Sequence, residues 1–254
     1  MYKIYGITQG QMEIDKSGGL PWVVKPGTKD RINFYMWCIK DGETTILVDT
    51  GMTDKEVNVM CTAENRGGIE YLNKQFKKLD IDRTRIKTVV ISHLHSDHFS
   101  AHQLYPNATF YVQRKEIEFL TGPAIKFRQV AQFAANMSEV ISLANENRIK
   151  YLDGDEQIAP GIRAIRVGGH TPGSQVVTVT TKIGNAVLCA DAIDSYENLE
   201  KGVVGMYVDL VQALLAFDKI KTLASSLELI IPGHDPLVMK RFPNPVEGVV
   251  EIGS

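Results

Sequence analysis

Cysteine is scarce in this chain: Cys38, Cys61 and Cys189 are scattered over 254 residues. Three thiols are too few for a disulfide framework, and a reducing cytoplasm is the expected compartment. Long apolar runs are also lacking. No stretch of about 18 consecutive apolar residues occurs, so no transmembrane helix is expected. The first residues carry Glu13, Asp15 and Lys16 where a signal peptide would need an apolar stretch. Nor is there an excess of one charge, since 28 Lys and Arg stand against 30 Asp and Glu. A protein built to grip nucleic acid usually carries a strong basic excess. A small-molecule substrate is therefore expected, with neither nucleic acid nor membrane as partner. No repeat, low-complexity tract or linker divides the sequence. With 44% hydrophobic residues, a single domain over residues 1–254, monomeric or homodimeric, can bury a core unaided.

What is present is a recurring alternation of short strand-like and helical stretches. Runs rich in β-branched and aromatic residues lie at Ile32–Ile39, Thr44–Val48, Thr88–Ser92, Thr109–Val112, Ile162–Val167, Val176–Thr181, Ala186–Ala190 and Leu229–Ile231. Asp41-Gly42 reads as a hairpin turn, and Ile183-Gly184-Asn185 as another. Lys55–Leu79 suits a helix interrupted at Arg66-Gly67-Gly68. Lys115–Asn147 holds Pro123 and then a helix-forming run through Ala131-Gln132-Phe133-Ala134-Ala135. Over Val208–Ser226 the residues Leu210, Ala213, Leu214, Phe217, Ile220 and Leu223 fall on one helical face. Strands mixed with helices predict a layered α/β sandwich.

The histidines carry the chemistry. Ser92-His93-Leu94-His95-Ser96-Asp97-His98 follows the apolar strand Thr88-Val89-Val90-Ile91 directly. In extended chain alternate side chains share a side, so His93, His95 and Asp97 can converge while His98 points elsewhere. A turn there lets one short segment serve two neighbouring metal ions. Four ligand-type residues in six positions at a strand's C-terminal end are hard to assign to chance, because open α/β sheets bind ligands at such ends. His170 lies in Gly168-Gly169-His170-Thr171-Pro172-Gly173, His234 in Pro232-Gly233-His234-Asp235, and Asp191 just after the strand Val187-Leu188-Cys189-Ala190. Taken singly, each has a plain alternative as a turn histidine or a strand-capping aspartate. Together they describe a metal site.

These motifs, with Val48-Asp49-Thr50-Gly51 before them, resemble the metallo-β-lactamase superfamily. The resemblance runs from about Asn33 to Pro236 and is nearest to the N-acyl homoserine lactone hydrolases, through Leu-Val-Asp-Thr-Gly-Met and Pro-Gly-His-Asp. It implies an αββα sandwich with the metals at one edge. His93, His95 and His170 would hold the first ion, Asp97, His98 and His234 the second, and Asp191 would bridge them. It further implies a hydroxide between the ions attacking a carbonyl carbon, with Asp97 as proton shuttle to the leaving group. The lactonases carry a tyrosine three residues after the bridging aspartate. Here that place is Asp194, and the nearest aromatic, Tyr196, is the candidate phenol. The expected activity is opening of a small cyclic ester. A thioesterase of the glyoxalase II type, a cyclic amide hydrolase and, in another class, an iron-dependent oxidoreductase are the alternatives. Zinc is the default ion, and Mn2+, Fe2+ or Co2+ suit the same ligands.

Other residues receive smaller readings. Asp49 is expected to orient a ligand histidine from behind. His102 reads as structural or surface, and Cys189 as an inert core thiol. Trp22, Phe34, Tyr35 and Trp37, and likewise Phe119, Phe127 and Phe133, are core candidates, a few of which can wall a pocket. Lys25, Lys29 and Arg31 read as solvated loop charges.

Overall fold

The architecture follows from strands whose alternate residues are apolar on both faces. In the computed structural model, which describes residues 1–18, 20, 23–42, 44–62, 67–127 and 132–254, the described strands form two sheets. A seven-stranded sheet has the order β12-β1-β2-β3-β4-β5-β6, with β1 at Lys3–Asp15, β2 at Lys29–Asp41, β3 at Thr44–Val48, β4 at Thr88–Val90, β5 at Thr109–Gln113, β6 at Ile149–Leu152 and β12 at Val249–Ile252. A five-stranded sheet has the order β11-β10-β9-β8-β7, with β7 at Glu156–Ala159, β8 at Ile162–Arg166, β9 at Gln175–Thr181, β10 at Gly184–Leu188 and β11 at Ile230–Ile231.

The period-two alternation explains the layering. Tyr35, Trp37 and Ile39 of β2 face Val177 and Val179 of β9 in a core between the sheets, whereas Met36 and Cys38 point the other way into a second cluster. That second cluster takes Leu72 and Phe76 from α2 (Ile69–Lys78), Leu120 from α4 (Arg114–Thr121) and Val140 and Leu143 from α5 (Met137–Asn145). On the far side, Ala213, Ala216, Phe217 and Ile220 of α7 (Leu210–Leu223) cover Ile165, Val176 and Val187 of the five-stranded sheet. The result is the αββα sandwich. Shorter helices complete it: α1 (Asp54–Met60), α3 (Ser96–Phe99), α6 (Tyr196–Lys201) and α8 (Val238–Arg241). Among the described residues no helix is long and apolar enough to cross a membrane.

Several elements depart from the sequence reading, and β6, β7 and β12, like β1, lie outside the runs read as strands. The 13-residue strand β1, not among the runs read as strands, pairs with both β2 and β12 and carries an irregularity between Thr8 and Gln11. Residues 132–135 form turns and a bridge rather than a helix, because Phe133 and Ala135 use backbone groups to bind the His93–Ser96 segment; Ala131 lies outside the described residues. The β9–β10 hairpin turns at Lys182-Ile183, with Gly184 already paired to Thr181. The Asp41 hairpin agrees, Asp41 pairing with Thr44 across Gly42 at φ 58°. Arg66 lies outside the described residues, but α1 and α2 flank the predicted interruption. On α7 the predicted face is only half used: Leu210 and Leu214 remain exposed.

Leu47 of β3 is fully buried against the helix layer. Leu47→Ala is expected to lower unfolding free energy by about 2–5 kcal/mol in urea denaturation. Val211→Ala, at an exposed position of α7, should stay within about 0.5 kcal/mol of the parent.

Candidate metal centre

Where the two sheets end at the same edge, five of the six histidines meet. The extended segment after β4 is held open by backbone bonds to the 133–135 turn: Ser96 N–H donates to Phe133 O at 2.8 Å and Ala135 N–H to Leu94 O at 2.9 Å. The chain then turns into α3. That turn separates the ligand-type residues into two groups, as a strand alone would not. His93, His95, His170 and Asp191 form one set, and Asp97, His98 and His234 another, with the offered donor atoms of each within 4.8 Å of one another.

Asp191 stands between the sets. Its Oδ2 lies 3.7 Å from His93 Nε2 and 3.4 Å from His170 Nε2, while its Oδ1 lies 2.9 Å from His98 Nε2 and 3.1 Å from His234 Nε2. His95 Nδ1 faces His170 Nε2 at 3.1 Å, and Asp97 Oδ2 lies 3.1 Å from His98 Nε2. Asp191 is delivered from the end of β10 by Ala190, a non-glycine residue at φ 44°. Backbone strain of this kind persists only where surrounding contacts hold it. The contact is Gly233, where a Cβ would come within 2.4 Å of Ala190 O. The same loop places His234, whose N–H donates to Asp194 O at 3.0 Å and whose carbonyl accepts from Asn33 N at 2.9 Å.

The ring nitrogens turned away from the cluster are engaged, which selects the tautomer that leaves the inner nitrogen free. Nδ1 of His170 faces Met206 O at 3.0 Å, and that of His234 faces Asn33 O at 2.8 Å. His98 Nδ1 meets Asp49 Oδ2 at 2.7 Å, and His93 Nδ1 meets Ser92 Oγ at 3.1 Å. Asp49, at φ 64°, also accepts from Ser92 N–H at 2.7 Å and Ser92 Oγ at 2.9 Å. The Asp49 expectation thus acquires its geometry: one carboxylate ties the end of β3 to His98 and, through Ser92, to His93.

Electrostatics divide the cluster. Burial and the neighbouring imidazoles hold His93 far below its usual range, and burial with His170 takes His95 down to about 3, so both stay neutral. Burial opposes charge on Asp191, yet His234 and His98 overcome it and hold the carboxylate well below its ordinary range. Burial likewise works against Asp97, but His98 keeps it low. His98 is raised by Asp97 and Asp191 against burial, and His234 is raised by Asp191, also against burial, to about 9. Two buried carboxylates therefore demand positive charge in their midst.

The residues fit two divalent ions. His93 Nε2 and His98 Nε2 are buried without a hydrogen-bond partner, and such orphaned nitrogens call for an explanation in a folded protein. For His98 the flanking carboxylate oxygens are near but not aligned as hydrogen-bond acceptors. Imidazole nitrogen and carboxylate oxygen are the donors that zinc and its neighbours accept.

Other expected residues take different places. The geometry does not bring Tyr196 to the cluster. Ser195 caps α6 through Asn198 N–H, and the turn sends the Tyr196 ring into the core between the sheets, where the Arg241 guanidinium lies 3.6 Å over it. Asp194 joins Asp191 and His234 instead, and burial beside Asp191 pushes its carboxyl up to about 6. In the sequence this acid stands out only as a departure from the lactonase pattern, and its place in a strand-end loop is the signal that marks it. Phe34 packs edge-on to His234 at 5.4 Å and Phe133 lies 5.8 Å from His95, whereas Tyr35 and Trp37 stack in the core and Phe127 is exposed. Trp22 lies outside the described residues. His102 is buried and stacked on Phe99, and Cys189 is buried with its thiol pushed up by burial.

Comparison with known proteins places these residues in context. The sequence profile of the Metallo-beta-lactamase superfamily matches residues 32–239. The N-acyl homoserine lactonase AiiA of Bacillus thuringiensis subsp. kurstaki is 28% identical over 252 residues, covering 92% of this chain and 93% of its own. N-acyl homoserine lactonase AttM of Rhizobium radiobacter is 30% identical over 178 residues, 66% of this chain and 65% of its own. Among solved structures, a quorum-quenching N-acyl homoserine lactone lactonase superposes with TM-score 0.73 at 25% identity, covering 95% of both chains. AidC, a dizinc quorum-quenching lactonase, shares the fold at TM-score 0.69 and 19% identity over 92% of this chain and 88% of its own.

Asp49→Asn turns an acceptor into an amide at His98 and should weaken metal binding about 10–100-fold, read by competitive titration with a chromophoric chelator. Stripping metal from the parent should lower its melting temperature by several degrees, reversed on adding Zn2+. An unchanged melting curve would contradict the fit of these donors to metal.

Proposed function

This chain belongs to the metallo-β-lactamase superfamily, and we propose that within it the protein is a dinuclear hydrolase that opens a lactone. The observation that carries this reading is the division of the Asp191 carboxylate, one oxygen toward His93 and His170 and the other toward His98 and His234. We assign His93, His95 and His170 to one ion, Asp97, His98 and His234 to the other, and Asp191 to both. When bound, two divalent ions, zinc in the first instance, supply a Lewis acid for the scissile carbonyl and a water of lowered pKa as nucleophile.

The protein's own groups do the rest. His93 and His95, kept neutral by burial, offer lone pairs without carrying protons into the site. Asp97 moves the proton: it takes it from the attacking water and returns it to the leaving alkoxide. In a lactone that alkoxide remains tethered to the acyl group, so the proton has a short path. Phe34 beside His234 and Phe133 beside His95 offer apolar flanks for the ring. Asp194 stands where the lactonases carry tyrosine. Tyr196 supports the site from beneath, because its N–H donates to Asp235 Oδ2 at 2.8 Å next to His234. The likeness to N-acyl homoserine lactonases over 92% of the chain supports the cyclic ester as substrate class. The low number of cysteines, all three of them buried, supports a reducing cytoplasm as the compartment.

The test is a proton-release assay over acyl homoserine and simple aromatic lactones, thioesters, cyclic amides and a phosphodiester, with metal content measured in the same sample. Lactone turnover with about two ions per chain is expected. Turnover confined to thioesters or amides would replace the substrate class, and iron with oxygen consumption would replace the reaction. Asp191→Ala and His98→Ala should each abolish ring opening while the far-UV dichroism stays that of the folded parent. Unchanged turnover in either variant would remove the two-ion mechanism.

A further inference from the structure

A buried carboxylate that the chemistry above leaves unused sits behind the cluster. Glu116, in the first turn of α4, is 1% exposed. One of its oxygens, Oε2, accepts from Leu94 N–H at 3.0 Å. The other, Oε1, accepts from Gly173 N–H at 2.8 Å and from the Thr171 hydroxyl. Leu94 lies between His93 and His95, and Thr171 follows His170. The single side chain therefore spans the two loops that carry the three histidines of the first set.

The surroundings are built for this reach. Thr171 N–H donates to Ser174 Oγ at 2.9 Å, and the two hydroxyls lie 2.7 Å apart, so the Thr171 hydroxyl is held in place. Gly173 is needed by Glu116 itself, because a Cβ there would come within 2.6 Å of Glu116 N and 2.7 Å of Glu116 Cγ. All three partners are donors, so each carboxylate oxygen must act as an acceptor. No lysine or arginine among the described residues forms an ion pair with it. A buried carboxylate satisfied only by N–H and O–H donors from two loops is costly to desolvate unless every bond is made. Its energy is lowest at one separation of the loops.

We propose that Glu116 is a positioning residue for the first metal set: it clamps the His93–His95 loop to the His170 loop and so raises the affinity of those histidines for their ion, touching neither ion nor substrate. This rests on the assignment of His93, His95 and His170 as ligands. Glu116→Gln conserves volume but places an amide N–H2 against one of the donor groups, so one arm of the clamp is lost.

The experiment titrates metal-free parent, Glu116→Gln and Asp49→Asn with Co2+, following the visible spectrum, and counts ions per chain after dialysis. The parent should retain two ions. Glu116→Gln should lose about 10–100-fold in affinity for one of them, while the remaining ion gives the spectrum of the Asp97, His98 and His234 set. Asp49→Asn, acting on His98 directly and on His93 only through Ser92, should weaken the other ion more and leave a different spectrum. Excess metal should restore most of the Glu116→Gln turnover number with KM unchanged. If Glu116→Gln binds both ions as the parent does, or loses both equally, the clamp is overturned while the metal assignment stands. If the parent itself binds no ion, the assignment falls and the clamp with it. Should Glu116→Gln fail to fold, Thr171→Val removes one donor from the same clamp. It should give a smaller loss confined to the same ion, and binding of both ions like the parent would overturn the clamp.

Discussion

The Asp191 carboxylate is the constraint on which the rest of the molecule turns. It is placed at the end of β10 in the five-stranded sheet, next to His234 on the segment leaving β11, yet two of the histidines it faces, His93 and His98, ride on the segment leaving β4 of the other sheet at the same edge. Its two oxygens must be shared between two donor sets within ordinary contact distance, so the sheets can differ little in stagger at this edge. The interior beneath provides that rigidity. Gln175 of β9 donates to Ile91 O at 2.6 Å and accepts from Gln113 Nε2 at 2.9 Å, joining the two sheets directly under the histidines. Polar bonds in so dry a place fix a register that apolar packing alone would leave adjustable.

Some of the backbone strain and close approach in the molecule lies at the same edge. Asp49 and Ala190 adopt positive φ as non-glycine residues, and each stands at or next to a residue that faces the cluster. Gly169 allows its loop to lie against α7, where a Cβ would come within 2.4 Å of Ala213 Cα. The loops pay for these contacts with backbone hydrogen bonds, Val208 and Asp209 both donating to Gly169 O at 2.9 and 3.0 Å. The histidine side chains inherit their orientation from these bonds, since four of them bind an outer partner through Nδ1 and present Nε2 inward.

Much of this was legible in the chain. The strands Thr44–Val48 and Thr109–Gln113 and helix Leu210–Leu223 follow β-former density and helical spacing, because their side chains face a core on a regular period. Strand β1 was not legible: its pairing depends on β2 and β12, the latter more than two hundred residues away, and polar residues interrupt its pattern. The run through Ala135 suits a helix by propensity, yet tertiary bonds to the His93–Ser96 segment override it. Leu210 and Leu214 satisfy the helical period and remain in solvent, since α7 meets the sheet through Ala213, Ala216, Phe217 and Ile220.

The sequence by itself determined which chemical groups are available and that they cluster at strand ends, because strand periodicity and residue type are local properties. His93, His95, Asp97, His98, His170, Asp191 and His234 could be named from motif and spacing. Tertiary structure alone decided the finer arrangement: which oxygen of Asp191 faces which set, that Asp194 rather than Tyr196 adjoins them, and that Glu116 ties two of their loops together. Those outcomes depend on carbonyls of Asn33 and Met206, on a donor at Leu94 N and on the turn of α3 and α6. Backbone groups are the same in every residue, so no sequence pattern marks the ones that will be used; only the folded chain brings them within hydrogen-bond reach.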